Sequence, residues 1–354
     1  MRVLLVKTSS MGDIIHTLPA LTDARRLVPE ITFDWVVEEG FAEIPAWHPA
    51  VAEVIPVAIR RWRKHPFRAW RSGEWARFRQ RLGQRDYDLV IDAQGLLKSA
   101  LLTRYARART VGLDADSARE PLASRFYDCG IKVPKGQHAV ERVRQLMAEA
   151  LGYECPTELG DYGLSRSYLA GEQPFEAYLL FLHGTTWASK HWPEAYWREL
   201  AERMVAKGFT ILLPWGNDIE RARAERIADG LPGVQVLPKT SLAGMAKILA
   251  GASACVAVDT GLGHLAAALD VPTVSLFGPT NPGYTGAYGR SQTHLASDWP
   301  GCVPCMNKKC TYEPTPDDAR RFDLRREQPL CFTRLNPARV ESQLDAMLQE
   351  TRQT

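Results

Sequence analysis

The chain has 354 residues, 45% of them hydrophobic and 24% charged, and a net charge of only +3. That length suits two domains rather than one, the composition excludes a low-complexity or disordered chain, and the small net charge by itself favours neither nucleic acid nor a membrane. No run approaches the roughly 18 uncharged apolar residues of a membrane span, and the apolar run behind Met1 and Arg2 is too short for a signal-peptide core, so a cytoplasmic or peripheral protein is expected.

The N-terminal half opens with Arg2–Val6, short and apolar, which reads as a strand. Lys7-Thr8-Ser9-Ser10-Met11-Gly12-Asp13 follows, and then an apolar spacing of three to four residues through Ile14, Leu18, Leu21, Ala24 and Val28 that reads as helix. Gly12 permits a close backbone approach, and Asp13 opens the helix. The loop matches neither a Walker A sequence nor G-x-G-x-x-G. Asp13 is thus either a first-turn carboxylate that stabilises the helix or a general base.

Further strands are expected at Thr32–Val37, Leu89–Asp92 and Thr110–Gly112. Between them, residues 60–85 hold ten Lys or Arg against one acid, Glu74, with Trp62, Phe67, Trp70, Trp75 and Phe78 interleaved. Such a segment is either a solvated arginine-rich helix or a field that attracts a multiply charged anion. Two Asp-x-Asp tripeptides, Asp86–Asp88 and Asp114–Asp116, sit at the wrong end of a strand and in a turn, and read as structural. Residues 152–173, with Pro, Gly and weak periodicity, mark the domain joint.

The C-terminal half repeats the alternation. Strands are expected at Tyr178–Leu182, Phe209–Leu213, Val234–Leu237, Ala254–Val258 and Thr273–Leu276. Helices are expected at Pro193–Lys207, opened by proline, at Asp218–Asp229 and at Leu242–Ala250. Strand and helix in alternation imply parallel sheets, whose ligands lie beyond the carboxyl ends of the strands. Two loops stand there. Thr185, Thr186 and Lys190, between a strand and a helix, offer hydroxyls, amides and a cation to a phosphate. The other reading is threonines that cap the helix. Asp259-Thr260-Gly261-Leu262-Gly263-His264 is again strand, turn and helix, with His264 either packed or functional. Gly278–Pro282 is a rigid loop that could close one wall. Two anion-binding helix starts in one half suit a pyrophosphate.

Cys302, Cys305, Cys310 and Cys331 form C-x2-C-x4-C-x20-C. The first pair has zinc-ligand spacing, so the four are candidates for a structural metal, for free thiols or for a labile disulfide. Asn336–Gln349 reads as an amphipathic helix.

The blocks Val6–Asp13, Phe33–Gly40, Arg60–Lys64, Ile91–Leu96, Ala118–Ser124, Gln137–Arg142, Lys190–Pro193 and Val258–Leu262 resemble the ADP-heptose transferases of lipopolysaccharide synthesis, glycosyltransferase family 9, over most of the length. The resemblance implies an α/β protein of the GT-B fold, two Rossmann-like doubly wound domains facing across a cleft. Residues 1–165 would bind the acceptor and 166–335 the ADP-heptose, with 336–354 returning to the first domain. It implies inverting, metal-independent transfer of L-glycero-D-manno-heptose to the first Kdo of Kdo2-lipid A, with no cofactor. Asp13 falls on the general base. Lys190, Thr185, Thr260, Gly261 and His264 fall on the donor phosphates, and Glu220 and Asp259 on the nucleoside and sugar side. Ser10, Gly12, Arg60, Arg61, Arg63, Lys64 and Arg119 fall on the acceptor side. The acceptor is embedded in the inner membrane, which implies a peripheral enzyme on its inner face and no nucleic-acid partner. The Cys302–Cys331 segment departs from the pattern of the branch resembled. A transferase for another sugar or a nucleotide-sugar epimerase on the same scaffold would carry similar loops.

Overall fold

The computed structural model describes residues 1–169, 176–321 and 329–353. The chain divides into two compact units, Met1–Leu164 and Ser165–Thr354. The division falls inside the expected joint, of which residues 170–173 lie outside the described ones.

The first unit carries β1 (Arg2–Val6), β2 (Thr32–Glu38), β3 (Val51–Val57), β4 (Leu89–Asp92), β5 (Thr110–Leu113) and β6 (Cys129–Ile131) in one sheet of order β3-β2-β1-β4-β5-β6. All pairs are parallel. Val3–Val6 are fully buried because helices cover both faces of such a sheet, which is why β1 reads as an unbroken apolar run. Helices Leu18–Leu27 and Ala139–Leu151 are tied by a buried ion pair, Arg144 Nε to Asp23 Oδ2 at 2.6 Å.

The second unit repeats the plan. β7 (Tyr178–Leu182), β8 (Thr210–Leu213), β9 (Val234–Val236), β10 (Ala254–Val258), β11 (Thr273–Phe277) and β12 (Gln292–Ala296) form a parallel sheet of order β12-β11-β10-β7-β8-β9. Counted from each unit's own first strand, both orders are the doubly wound 3-2-1-4-5-6 of a dinucleotide-binding fold. The order reverses between β1 and β4 in one unit, and between β7 and β10 in the other. Loops beyond those strand ends are where such a sheet opens a crevice.

Pro193 differs from expectation by one position: it precedes the helix Glu194–Val205 as its cap. The terminal helix, Pro337–Gln353, differs more. Its apolar face (Val340, Leu344, Met347, Leu348) joins Trp192, Trp197 and Phe332 in the second unit's core. Arg203 and Lys207 of helix Glu194–Val205 pair with its Glu341 at 2.9 and 2.7 Å. The expected boundary at 335/336 therefore falls within one compact unit, because the residues after it complete that unit's core.

Candidate active site

In the first unit the chain leaves β1 through Lys7–Ser10 and enters the short helix Met11–Ile15. Asp13, at its third position, accepts from the Ser10 N–H (2.6 Å) and the Ser10 hydroxyl (2.8 Å) through one oxygen, Oδ2. Its Oδ1 has no hydrogen-bond partner among the described residues. Gly12 is buried under this turn. The first-turn role expected of Asp13 is thus present, and half of the carboxylate is left over.

The loop after β4 holds this turn in place. Gln94 Oε1 accepts the amides of Thr8 and Ser9 at 3.0 and 3.1 Å. Gln94 is itself oriented by Asp92, whose Oδ1 accepts its amide at 2.8 Å. Asp92 is fully buried and also accepts from Ser99 and Tyr127 hydroxyls (2.8 and 2.7 Å). Burial pushes its carboxyl up, against those hydrogen bonds. Lys7 is buried as well and donates to the Ala93 carbonyl at 2.8 Å. Burial lowers its ammonium pKa, and the charges of Asp13 and Asp92 oppose the shift while Arg142 and Arg119 add to it. Arg119 therefore lies within electrostatic reach of Lys7. Lys98 donates to the Ser9 hydroxyl at 3.2 Å. Asp92 and Arg142 fall within the resembling blocks Ile91–Leu96 and Gln137–Arg142 but had no role assigned there, and Lys98 and Tyr127 fall outside every block, although the end of β4 at a switch point directs attention to Lys98.

The four basic residues of segment 60–64 expected at the acceptor, with Arg119, are not equivalent. Arg61 is held by Glu39 and Glu74 at 3.0 and 2.8 Å, and the hydrogen bonds it donates to these two carboxylates raise its pKa. Arg60 donates its amide to Glu38 and lies 5.5 Å over the Phe41 ring. Arg63 and Lys64 are exposed. Of the four, Arg61 is the one whose charge is already matched.

In the second unit the cluster centres on Asp259, at the end of β10. Lys190 Nζ lies 2.7 Å from Asp259 Oδ2, and the Thr280 hydroxyl donates to the same oxygen at 2.8 Å. Thr185 donates to the Asp259 carbonyl at 3.1 Å, and His264 Nε2 lies 3.9 Å from Oδ1. Thr260 caps the helix Gly261–Ala268, whose first amides emerge beside this cluster. Lys190 also stands 4.3 Å from the Trp187 ring centroid, where the π-face adds to the attraction for the cation. Gly184 exists to admit Glu220: a Cβ there would stand 2.9 Å from the Glu220 carboxyl carbon. Glu220 in turn accepts the Gly216 amide at 2.8 Å. Thr185, Lys190, Glu220, Asp259, Thr260, Gly261 and His264 are thus gathered at the ends of β7, β8 and β10, while Thr186 is exposed beside them. Thr280 completes the Asp259 cluster from the loop expected to form a wall.

The four cysteines, left open between a metal, free thiols and a labile disulfide, lie together. Cys302, Cys305, Cys310 and Cys331 line one small cavity with Trp299 and Tyr312, and all are free thiols. No three His, Cys, Asp or Glu side chains are placed to hold a metal ion among the described residues. The Cys331 sulfur packs against Gly278, where a Cβ would come within 2.9 Å of it, and burial pushes its thiol up to about 12. Burial raises Cys302 too, with Cys305 and Cys310 adding to it. The buried Cys331 thiol acts as a core side chain. The two Asp-x-Asp tripeptides are structural in the same way: Asp88 accepts the Arg2 amide at 2.6 Å, and Asp114 the Ser117 amide at 2.8 Å.

Comparison with known proteins follows the same lines. The profile of "Glycosyltransferase family 9 (heptosyltransferase)" matches residues 75–315. A Pseudomonas aeruginosa protein, lipopolysaccharide heptosyltransferase 1, is 71% identical over 349 residues, covering 98% of each chain. An Escherichia coli heptosyltransferase, WaaC, solved with ADP, superposes with a TM-score of 0.80 at 55% identity, covering 84% of this chain and 93% of that one. The same enzyme solved with ADP-2-deoxy-2-fluoro heptose gives 0.78 at 54%, with the same coverage. The chain has the GT-B fold of these structures and belongs to glycosyltransferase family 9, the heptosyltransferases.

Proposed function

We propose that the chain transfers L-glycero-D-manno-heptose from its ADP donor to the first Kdo of Kdo2-lipid A, with inversion and without a metal, at the inner face of the inner membrane. The observation that carries the donor half is the gathering of Lys190, Thr185, Thr280 and His264 on Asp259, beside the helix start at Thr260 and at the switch point between β7 and β10. A diphosphate there would meet amides, hydroxyls and one cation. The heptosyltransferase name of the Pseudomonas aeruginosa relative and the ADP-2-deoxy-2-fluoro heptose bound in the Escherichia coli structure support an ADP-heptose donor.

In the reaction a Kdo hydroxyl oxygen attacks the anomeric carbon as the bond from that carbon to the β-phosphate oxygen breaks. ADP leaves with the electron pair, and the hydroxyl proton goes to Asp13, whose Oδ1 is the unused oxygen. The acceptor hydroxyl becomes acidic as its bond to the sugar forms, so a weak base suffices in the transition state. Lys190 and the helix amides at Thr260 and Gly261 take up the charge growing on ADP, a role that preorganised dipoles fill in place of a divalent ion. Glu220 and Asp259 face the nucleoside and sugar. Gly12, Arg60, Arg63, Lys64 and Arg119 face the acceptor's carboxylates and phosphates. Arg61 joins them only on leaving Glu39 and Glu74.

Release of ADP from ADP-heptose in the presence of purified Kdo2-lipid A, and not with UDP- or GDP-sugars, is the expected result. Absence of turnover with that pair would end the proposal. Asp13→Ala should retain donor affinity and lose about 10²–10⁴ of the rate. Near-normal turnover would remove Asp13 from the mechanism.

A further inference from the structure

The aromatic residues of segment 60–85 fall into two classes. Trp62, Trp75 and Phe78 turn inward and pack on one another with ring centroids 5.3 to 6.0 Å apart, against a core of the first unit. The Trp62 Nε1 donates to Glu74 at 2.8 Å. Packing accounts for all three. Phe67 and Trp70 do the reverse: they are 83% and 77% exposed, on the helix Pro66–Arg71. At a spacing of three they share one face of it, and buried Ala69 anchors the other side. Two large aromatics held out in water by a helix whose opposite face is fixed need an apolar partner.

The surroundings say which. Arg63, Lys64, Arg68 and Arg71 are exposed around the pair, and none makes an ion pair among the described residues. The nearby acids, Glu39 and Glu74, are both committed to Arg61. Aromatic side chains at headgroup depth within a ring of cations are the signature of an anionic bilayer surface. We propose that helix Pro66–Arg71 is a membrane-docking element, with Phe67 and Trp70 entering the headgroup region and Arg63, Lys64, Arg68 and Arg71 pairing with anionic lipid. This deepens the lipid-linked acceptor reading and rests on it for its purpose, but its test requires no acceptor.

Flotation of the full chain with phosphatidylcholine vesicles, with and without phosphatidylglycerol, measures the partition. Wild type should float with the anionic vesicles, and Phe67→Ser/Trp70→Ser should lose roughly tenfold in partition for each side chain. Trp70→Phe should still float, but should lose the part of its fluorescence quenching by brominated lipid that Trp70 supplies. Both side chains are exposed, so an unchanged thermal midpoint and donor affinity should show that the variants fold. Failure of wild type to float, flotation of the double variant like wild type, or quenching that persists undiminished in Trp70→Phe would each overturn the proposal. Transfer to a deacylated, water-soluble Kdo acceptor without vesicles separates the two ideas. Wild type and the double variant should be equal there. Flotation without any transfer would sink the functional reading alone, and transfer with undisturbed flotation of the double variant would sink the docking element alone.

Discussion

At the scale of single residues, the Asp259 cluster is already charged and hydrogen-bonded within itself. Lys190 is not a loose surface lysine. Asp259 and the Trp187 ring fix it from two sides, and Thr280 fixes Asp259. Such preorganisation means little reorganisation when negative charge develops, and a diphosphate bound there as proposed would compete with Asp259 for the ammonium. Replacing Lys190 by Ala should therefore lower kcat/KM for ADP-heptose by about 10²–10³. The change is checked by ADP release at varied donor, with the thermal midpoint as a control because Asp259 loses its partner. Within a factor of two of wild type, Lys190 would be a structural partner of Asp259 only. These residues were legible because each lies within a few positions of a strand end, where sequence and site coincide. The residues that hold the Asp13 turn and Arg61 in place were not. Gln94 acts on Thr8 and Ser9 from 86 and 85 positions away, and Arg61 meets Glu39 from 22. No local pattern encodes those distances.

At the scale of elements, the strands missed by sequence reading were β3, β6 and β12, and all three lie at sheet edges. Interior strands are covered on both faces and read as apolar runs, whereas edges carry polar residues and proline. β3 holds Glu53 and Pro56 and is only partly buried. Its start is fixed instead by His48, in the turn before it. His48 Nδ1 accepts the Ala50 amide at 3.1 Å, and Nε2 meets the Thr22 hydroxyl at 3.0 Å. The accepting nitrogen must be unprotonated. Burial, with Arg25 adding to it, lowers this histidine to about 4. The unfolded chain, with an ordinary value of about 6.5, thus takes up the proton first as pH falls. Stability is full above about 6.5 and is lost progressively down to about 4, by roughly 3 kcal/mol at most from this group. Buried His183, also near 4, contributes in the same direction. Urea unfolding between those pH values should show the decline, and His48→Asn, whose side-chain oxygen can still accept from Ala50, should flatten part of it. An unchanged slope in the variant would remove His48 as a cause.

At the scale of the whole molecule, two units of identical strand order each close their own core, yet the second does so with the last helix of the chain. The amphipathic period of that helix was visible in the sequence. The surface it covers was not, because its partners Trp192, Trp197 and Phe332 become neighbours only once the sheet has formed. Val340 and Leu344 are fully buried there. Each stabilises by about 1.5–3 kcal/mol, so together they supply an amount comparable with the lower part of a domain's net stability of about 5–15 kcal/mol. Val340→Asp places an unpaired carboxylate in that core, which costs several kcal/mol. ADP binding and cooperative unfolding of the second unit should both fail. Ala346→Asp, on the exposed face of the same helix, should cost under about 1 kcal/mol and leave ADP affinity unchanged. Calorimetric ADP titration of the two variants makes the comparison. Equal affinity in both would show that the helix is an appendage, and loss in Val340→Asp alone would show that the donor half depends on the last residues of the chain to hold its shape.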